Sequence, residues 1–171
     1  MKGFIAYSSK TGNTKRMAQY LYDALKENRD LTLLDLKDKP DLAIYDYGLL
    51  GGWCDRAMPD KAVINALEGA PKKLGLFLTM GAMPDSEHGE RAMEGLKKCL
   101  SDHKKESLGT YLCPGKVDEK LAARIDLLVF VPKDAREQMK EASEKSREAT
   151  EEELKEAEMY FTEQLEIGGI R

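Results

Sequence analysis

The chain has 171 residues, a formal net charge of −4, and 42% hydrophobic against 34% charged residues, enough to build a core without disulfide or metal staples. The negative balance disfavours nucleic acid or an anionic membrane as the main partner, and no run of about 18 apolar residues marks a membrane span. Met1 leads into KGFIAY, too short and poorly flanked for a signal peptide, so a soluble cytoplasmic protein is expected. Three cysteines, Cys54, Cys99 and Cys113, form no C-x-x-C pair, and only two histidines, His88 and His103, are present. That usage argues for reduced thiols and against a zinc site.

Residues 3–7 (GFIAY) predict a short buried strand, and Asn13 to about Glu27 a helix with Met17, Tyr20, Leu21, Ala24 and Leu25 on one face. LTLLDL (31–36) predicts a second strand, and Asp46 to Gly52 a third. Pro59 and Asp60 open a short helix through Leu67, and LGLFLTM (74–80) is a buried fourth strand. Residues 84–100 read as a helix begun by Pro84, Asp85 and Ser86, and 107–113 as a fifth strand. Apolar strands alternating with helices define a doubly wound α/β fold: a five-stranded parallel sheet with helices on both faces. From Lys133 onward Glu and Lys dominate, with Thr150 and Glu153 as a capping box before the stripe Leu154, Ala157, Phe161 and Leu165. One domain over 1–171 is expected, with a charged helical extension from about 116. No element is assigned to Lys116–Val131, which contains the apolar run IDLLVFVP.

In such a sheet ligands bind beyond the carboxyl ends of the strands, near the point where strand order reverses, which singles out the loops after strands one, three and four. The first, Ser8 to Thr14, sets hydroxyls and backbone amides at a helix start, a donor set suited to a phosphate. It has neither the G-x-x-x-x-G-K-[ST] nor the G-x-G-x-x-G spacing, so ATP and NAD are not the first choice. The alternative is that Ser9 or Thr11 merely caps the helix. The second, Gly51 to Met58, carries Trp53, either a core residue or a flat face for stacking, with Asp55 and Arg56 beside it. The third, Thr79 to Ser86, brings Met80 and Met83, which elsewhere would simply fill gaps. His88 lies one turn into the next helix, as a surface residue or a proton donor, and His103 is expected to face solvent. Cys113, at a strand end, reads as packing. No catalytic residue is assigned, because no Ser-His-Asp, Cys-His or paired-carboxylate arrangement is specified.

SKTGNT, Ser9 to Thr14, directly after the first strand and opening the first helix, resembles the flavodoxin phosphate loop [ST]-x-[ST]-G-[NQ]-T, which binds the FMN phosphate without a basic side chain. The general resemblance covers about residues 1–115. Through YDYGLLGGWCDR, TMGAMPDSEH and LGTYLCPGKVD the chain is similar to a group of short flavodoxin-like proteins of anaerobic bacteria, one of them associated with bilirubin reduction. The resemblance implies a flavodoxin-like fold and FMN as cofactor. Ser9, Thr11, Asn13 and Thr14 would donate side-chain hydrogen bonds to the phosphate, and the amides of Lys10 and Gly12 main-chain ones. It also implies that Trp53, flanked by Gly52, Cys54 and Asp55, stacks on the isoalloxazine, and that Thr79, Met80, Gly81, Ala82 and Met83 meet its pyrimidine edge. The usual second stacking aromatic is missing, leaving Met80 or Met83 to cover the other ring face. Cys54 falls where flavodoxins usually carry a glycine whose peptide can flip on reduction, and a side chain there resists positive φ by roughly 1–2 kcal/mol. The implied function is an electron carrier whose partner protein docks over the flavin edge near Trp53 and Met83, with the acidic tail as a possible steering element. An FMN-dependent reductase of a quinone or tetrapyrrole, or an accessory module without flavin, remain the alternatives.

Overall fold

Successive residues of the first strand enter opposite cores: in β1 (Lys2–Tyr7) Phe4 and Ala6 join one cluster, and Ile5 and Tyr7 the other. Both sides of the sheet therefore need a helical cover. The structure, a computed structural model, describes residues 1–170. β2 (Asp30–Asp35), β1, β3 (Tyr47–Asp55), β5 (Lys73–Met80) and β6 (Glu106–Pro114) lie side by side in that order and all run parallel. The sequence of strands reverses direction between β1 and β3, which fixes the switch point there. Helices α1 (Asn13–Leu25) and α6 (Glu151–Ile167) cover the face of Ile5, Leu49 and Phe77. α2 (Lys61–Gly69) and α3 (Glu87–Asp102) cover the face of Phe4, Leu50 and Leu76.

The expected five-stranded parallel sheet is present, with one addition. Where a loop was expected from Gly51 to Met58, β3 continues to Asp55 and turns back as β4 (Met58–Pro59), antiparallel to it. The turn is made by Arg56 and Ala57, with φ of 52° and 63°. Two left-handed residues in succession are what a tight hairpin requires, since their twist matches that of the strands. Asn-Gly or Asp-Gly would have announced this turn; Arg-Ala does not. Cys54 is not at a positive φ: it lies in the strand opposite Pro59, and the left-handed positions fall two and three residues later.

The tail divides into two unlike parts. After β6 come a single helical turn, α4 (Glu119–Ala122), a 3-10 turn (Ile125–Leu127) and α5 (Lys133–Lys145), which contributes no buried residue. α6, by contrast, buries the expected stripe of Leu154, Ala157, Phe161 and Leu165, with the Phe161 ring edge-on to Phe77 at 6.2 Å. Its start carries the expected capping box: Thr150 Oγ1 accepts from Glu153 N and Glu153 Oε2 from Thr150 N. Among the described residues no helix is long and apolar enough to cross a membrane.

Candidate functional site

At the carboxyl edge of the sheet, the ends of β1, β3, β5 and β6 surround a cavity of about 410 Å³, within the range of roughly 300–1,000 Å³ typical of small-ligand sites. The first loop contributes Lys10, Thr11, Asn13 and Thr14, β3 contributes Trp53 and Cys54, and the end of β5 contributes Thr79, Met80 and Gly81. Ser9, Gly12, Gly52, Asp55, Ala82 and Met83 lie outside the lining.

The first loop is held by its own polar groups. Ser9 Oγ accepts from the Gly12 amide at 3.1 Å, and Gly12 takes φ 100°, where only glycine is unstrained. Asn13 departs from the expected role: its amide nitrogen donates both to Thr11 Oγ1 (3.1 Å) and to the Lys116 carbonyl (2.9 Å), while its oxygen accepts from the Lys116 amide. With both hydrogens placed in this way, Asn13 ties the loop after β6 to α1 while also lining the cavity. Thr14, buried, shares a 2.8 Å hydrogen bond with the Thr79 hydroxyl. If Thr79 donates, the Thr14 proton is free to point into the cavity. α2, α3 and α6 are capped by the side chains of Asp60, Ser86 and Thr150, whereas α1 has no side-chain cap. Its first-turn amides have no partner within the helix, and the dipole adds a partial positive charge at that point. Neither Ser9 nor Thr11 takes a first-turn amide of α1; Ser9 Oγ holds the amide of the N-cap residue Gly12 instead.

Trp53 is fixed by a buried carboxylate. Asp60 is 3% exposed; one of its oxygens accepts from the Trp53 amide at 3.2 Å and the other from Ala62 at 3.0 Å, capping α2. The neighbouring Gly52 leaves room for this, because a Cβ there would lie 2.5 Å from the Asp60 carboxylate. The ammonium of Lys10 sits 5.3 Å from the centre of the Trp53 ring, a cation–π contact of about 0.5–1 kcal/mol at an exposed site. Cys54 Sγ lies 3.7 Å from His88 Nε2, and burial pushes its thiol pKa upward. Asp55 pairs with Met58 in the hairpin and is exposed.

Beyond β5, Met80 belongs to the core cluster yet reaches the cavity wall. Gly81 packs on Val117, whose methyl would be 2.4 Å from a Cβ placed there. Ala82 packs on the α2–α3 core, and the Met83 carbonyl accepts from the amide and hydroxyl of Ser86, the α3 cap. The remaining wall was not selected from sequence: Gly115, Lys116, Val117 and Asp118, then Lys120, Leu121 and Arg124. Gly115 threads between Asn13 and Thr79, where a Cβ would sit 3.2–3.3 Å from their side chains. The signal was available, since the loop after the fifth strand ends on the same sheet edge as the three that were searched. Among the described residues no group of three or more His, Cys, Asp or Glu is placed to hold a metal ion.

A parallel sheet of order 2-1-3-4-5 (numbering its five strands along the chain), with a donor-rich helix start and an aromatic at the switch point, defines a flavodoxin-type α/β protein. A match to the Flavodoxin domain family spans residues 4–162, and the chain belongs to that family. It is 33% identical over 168 residues, 94% of each chain, to the flavodoxin-like domain-containing protein BilS of Clostridioides difficile (strain CD3). Solved structures of like fold include a short-chain flavodoxin associated with a bacterial microcompartment (TM-score 0.62, 12% identity, 100% of both chains). Another is oxidised flavodoxin 2 from Bacillus cereus (TM-score 0.55, 20% identity, 96% of this chain and 99% of that one).

Proposed function

We propose that this chain binds FMN and carries electrons between redox partners in the cytoplasm. The observation that supports it most is the uncapped start of α1 opening on a cavity that also holds Trp53. A phosphate seated there would accept hydrogen bonds from the free first-turn amides and from the hydroxyls of Thr11 and Thr14. The ring would lie along Trp53, with Lys10 moved from that face or the opposite face used, and with Met80 behind it. Bound FMN supplies one- and two-electron chemistry. The chain's own groups hold the phosphate, orient the ring through the Asp60–Trp53 clamp, and keep a buried wall of Thr79 and Met80 against it. A redox partner would dock over the open side of the cavity, and the membership in the flavodoxin family favours this reading over a module without flavin.

The purified protein should show a flavin absorption spectrum after incubation with FMN. NAD(P)H alone should leave that spectrum unchanged, since a carrier takes electrons from a protein. Direct bleaching by NAD(P)H would favour an FMN-dependent reductase of a small conjugated substrate, and the absence of any bound flavin would leave the accessory module.

A further inference from the structure

Cys54 touches two environments at once. It lines the cavity beside Trp53, and its Sγ lies 3.7 Å from His88 Nε2. His88 is half-buried and takes no part in the lining, so the thiol joins the imidazole to the ligand space. Two features hold this contact in place. The first turn of α3 is fixed by Ser86, whose Oγ accepts from the Gly89 amide at 3.2 Å and donates to the Met83 carbonyl at 2.6 Å. Further along, Gly95 lets α3 approach the hairpin turn so closely that a Cβ there would meet the Ala57 carbonyl at 2.4 Å. The helix that carries His88 is thus pressed against the hairpin that carries Cys54.

The pair is suited to holding and passing a proton. Burial, and then the Asp55 carboxylate, push the Cys54 thiol pKa upward against the opposing pull of the Ala57 amide, so the sulfur keeps its proton at neutral pH. Imidazole is the side chain that takes up and releases a proton near neutrality. The charged neighbours along the chain are Asp55 and Arg56 on the hairpin and Asp85, Glu87, Glu90 and Arg91 at the start of α3, all exposed, with Glu87 and Arg91 paired at 3.9 Å. α3 also packs on β4, β5 and β6. β4 is Met58–Pro59, β5 ends in Thr79 and Met80, and the end of β6 brings the Cys113 thiol.

We propose that Cys54 and His88 form the proton-donating pair of the site: Cys54 Sγ gives the proton that a flavin in the cavity takes up on reduction, and His88 Nε2 restores it. The proposal deepens the FMN reading and rests on it. Two electrons come from the donor protein. The S–H bond breaks as an N–H bond forms at the flavin N5, the Nε2 proton passes to the sulfur, and water reprotonates the half-exposed imidazole. The sulfur ends as a thiol, neither oxidised nor reduced. When the imidazole is protonated, its Nε2–H donates to the sulfur and leaves the S–H free to point into the cavity. When Nε2 is bare it accepts the S–H and turns that proton away. Delivery should therefore slow as pH rises through the imidazole titration.

The first test needs no flavin. Alkylation of Cys54 by iodoacetamide in the apoprotein, read by peptide mapping between about pH 5 and 8, should show an inflection that His88→Gln removes. In the FMN-loaded protein, proton uptake after pulsed photoreduction is followed with an indicator dye. Cys54→Ala should slow it by about 100-fold, the scale of a positioned proton donor, and Cys54→Ser, which keeps a donor hydroxyl, should restore part of the rate. His88→Gln should flatten the pH profile. Urea denaturation and FMN fluorescence confirm that each variant is folded and loaded, and half-exposed His88 supplies the test should the Cys54 variants lose the ligand. Uptake as fast in Cys54→Ala as in the wild type, or a pH profile or alkylation inflection that persists in His88→Gln, overturns the proposal. With flavin bound, those results sink the proton pair alone; a chain that binds no flavin sinks the carrier reading and the proton pair with it.

Discussion

Thr14 and Thr79 hold one hydroxyl pair across the floor of the site, and both are buried. Thr14→Val leaves the Thr79 hydroxyl without a partner, and a buried unsatisfied group of this kind costs about 1–3 kcal/mol. Urea denaturation should show that loss, and adding Thr79→Val should recover most of it. Equal losses that simply add would mean that the two hydroxyls do not interact. Cys113 behaves as the packing residue expected of it: it is fully buried, and burial pushes its thiol pKa up to about 12. It should resist alkylation at neutral pH until the protein unfolds. Asn13 was legible as a member of the loop but not as the clamp on Lys116, because a contact across 103 residues leaves no local pattern.

At the scale of elements, the strands and main helices were legible from apolar runs, periodicity and caps. The hairpin after Trp53 was not, since its left-handed turn is built from Arg56 and Ala57 and not from glycine or asparagine. Asp60 organises that hairpin and α2 together, so Asp60→Ala removes a cap and the Trp53 clamp at once. The cap alone is worth about 0.5–2 kcal/mol, and a fall in stability of at least that size, together with weaker FMN binding, is expected in paired urea and fluorescence titrations. The start of α6 makes a pH prediction. The Arg147 guanidinium, followed by the Thr150 amide, holds the Glu153 carboxyl down from 4.5 to about 2. A carboxyl depressed on folding stabilises above its unfolded pKa and loses that contribution as pH falls through the folded value. Stability should therefore decline between about pH 4.5 and 2, and Glu153→Gln should flatten that part of the profile. An unchanged acid limb in the variant would remove Glu153 as its cause.

Across the whole molecule, the doubly wound topology places four loops on one edge, and three of them were searched from sequence. The fourth, 115–124, supplies much of the remaining wall and its positive charge. It escaped because its cations are dispersed in a segment with no recognisable element, in a chain whose overall balance is negative. The central claim is that the α1 start and Trp53 together hold FMN, and it is tested most directly by titrating the apoprotein with FMN and following flavin fluorescence, beside Thr11→Val. Thr11 is exposed at the loop, so its loss should leave folding intact. The wild type should quench the flavin at one equivalent, and the variant should bind more weakly by about 1.5–3 kcal/mol, the worth of a hydrogen bond to a charged phosphate. No quenching by the wild type, or an affinity unchanged in Thr11→Val, would contradict the site.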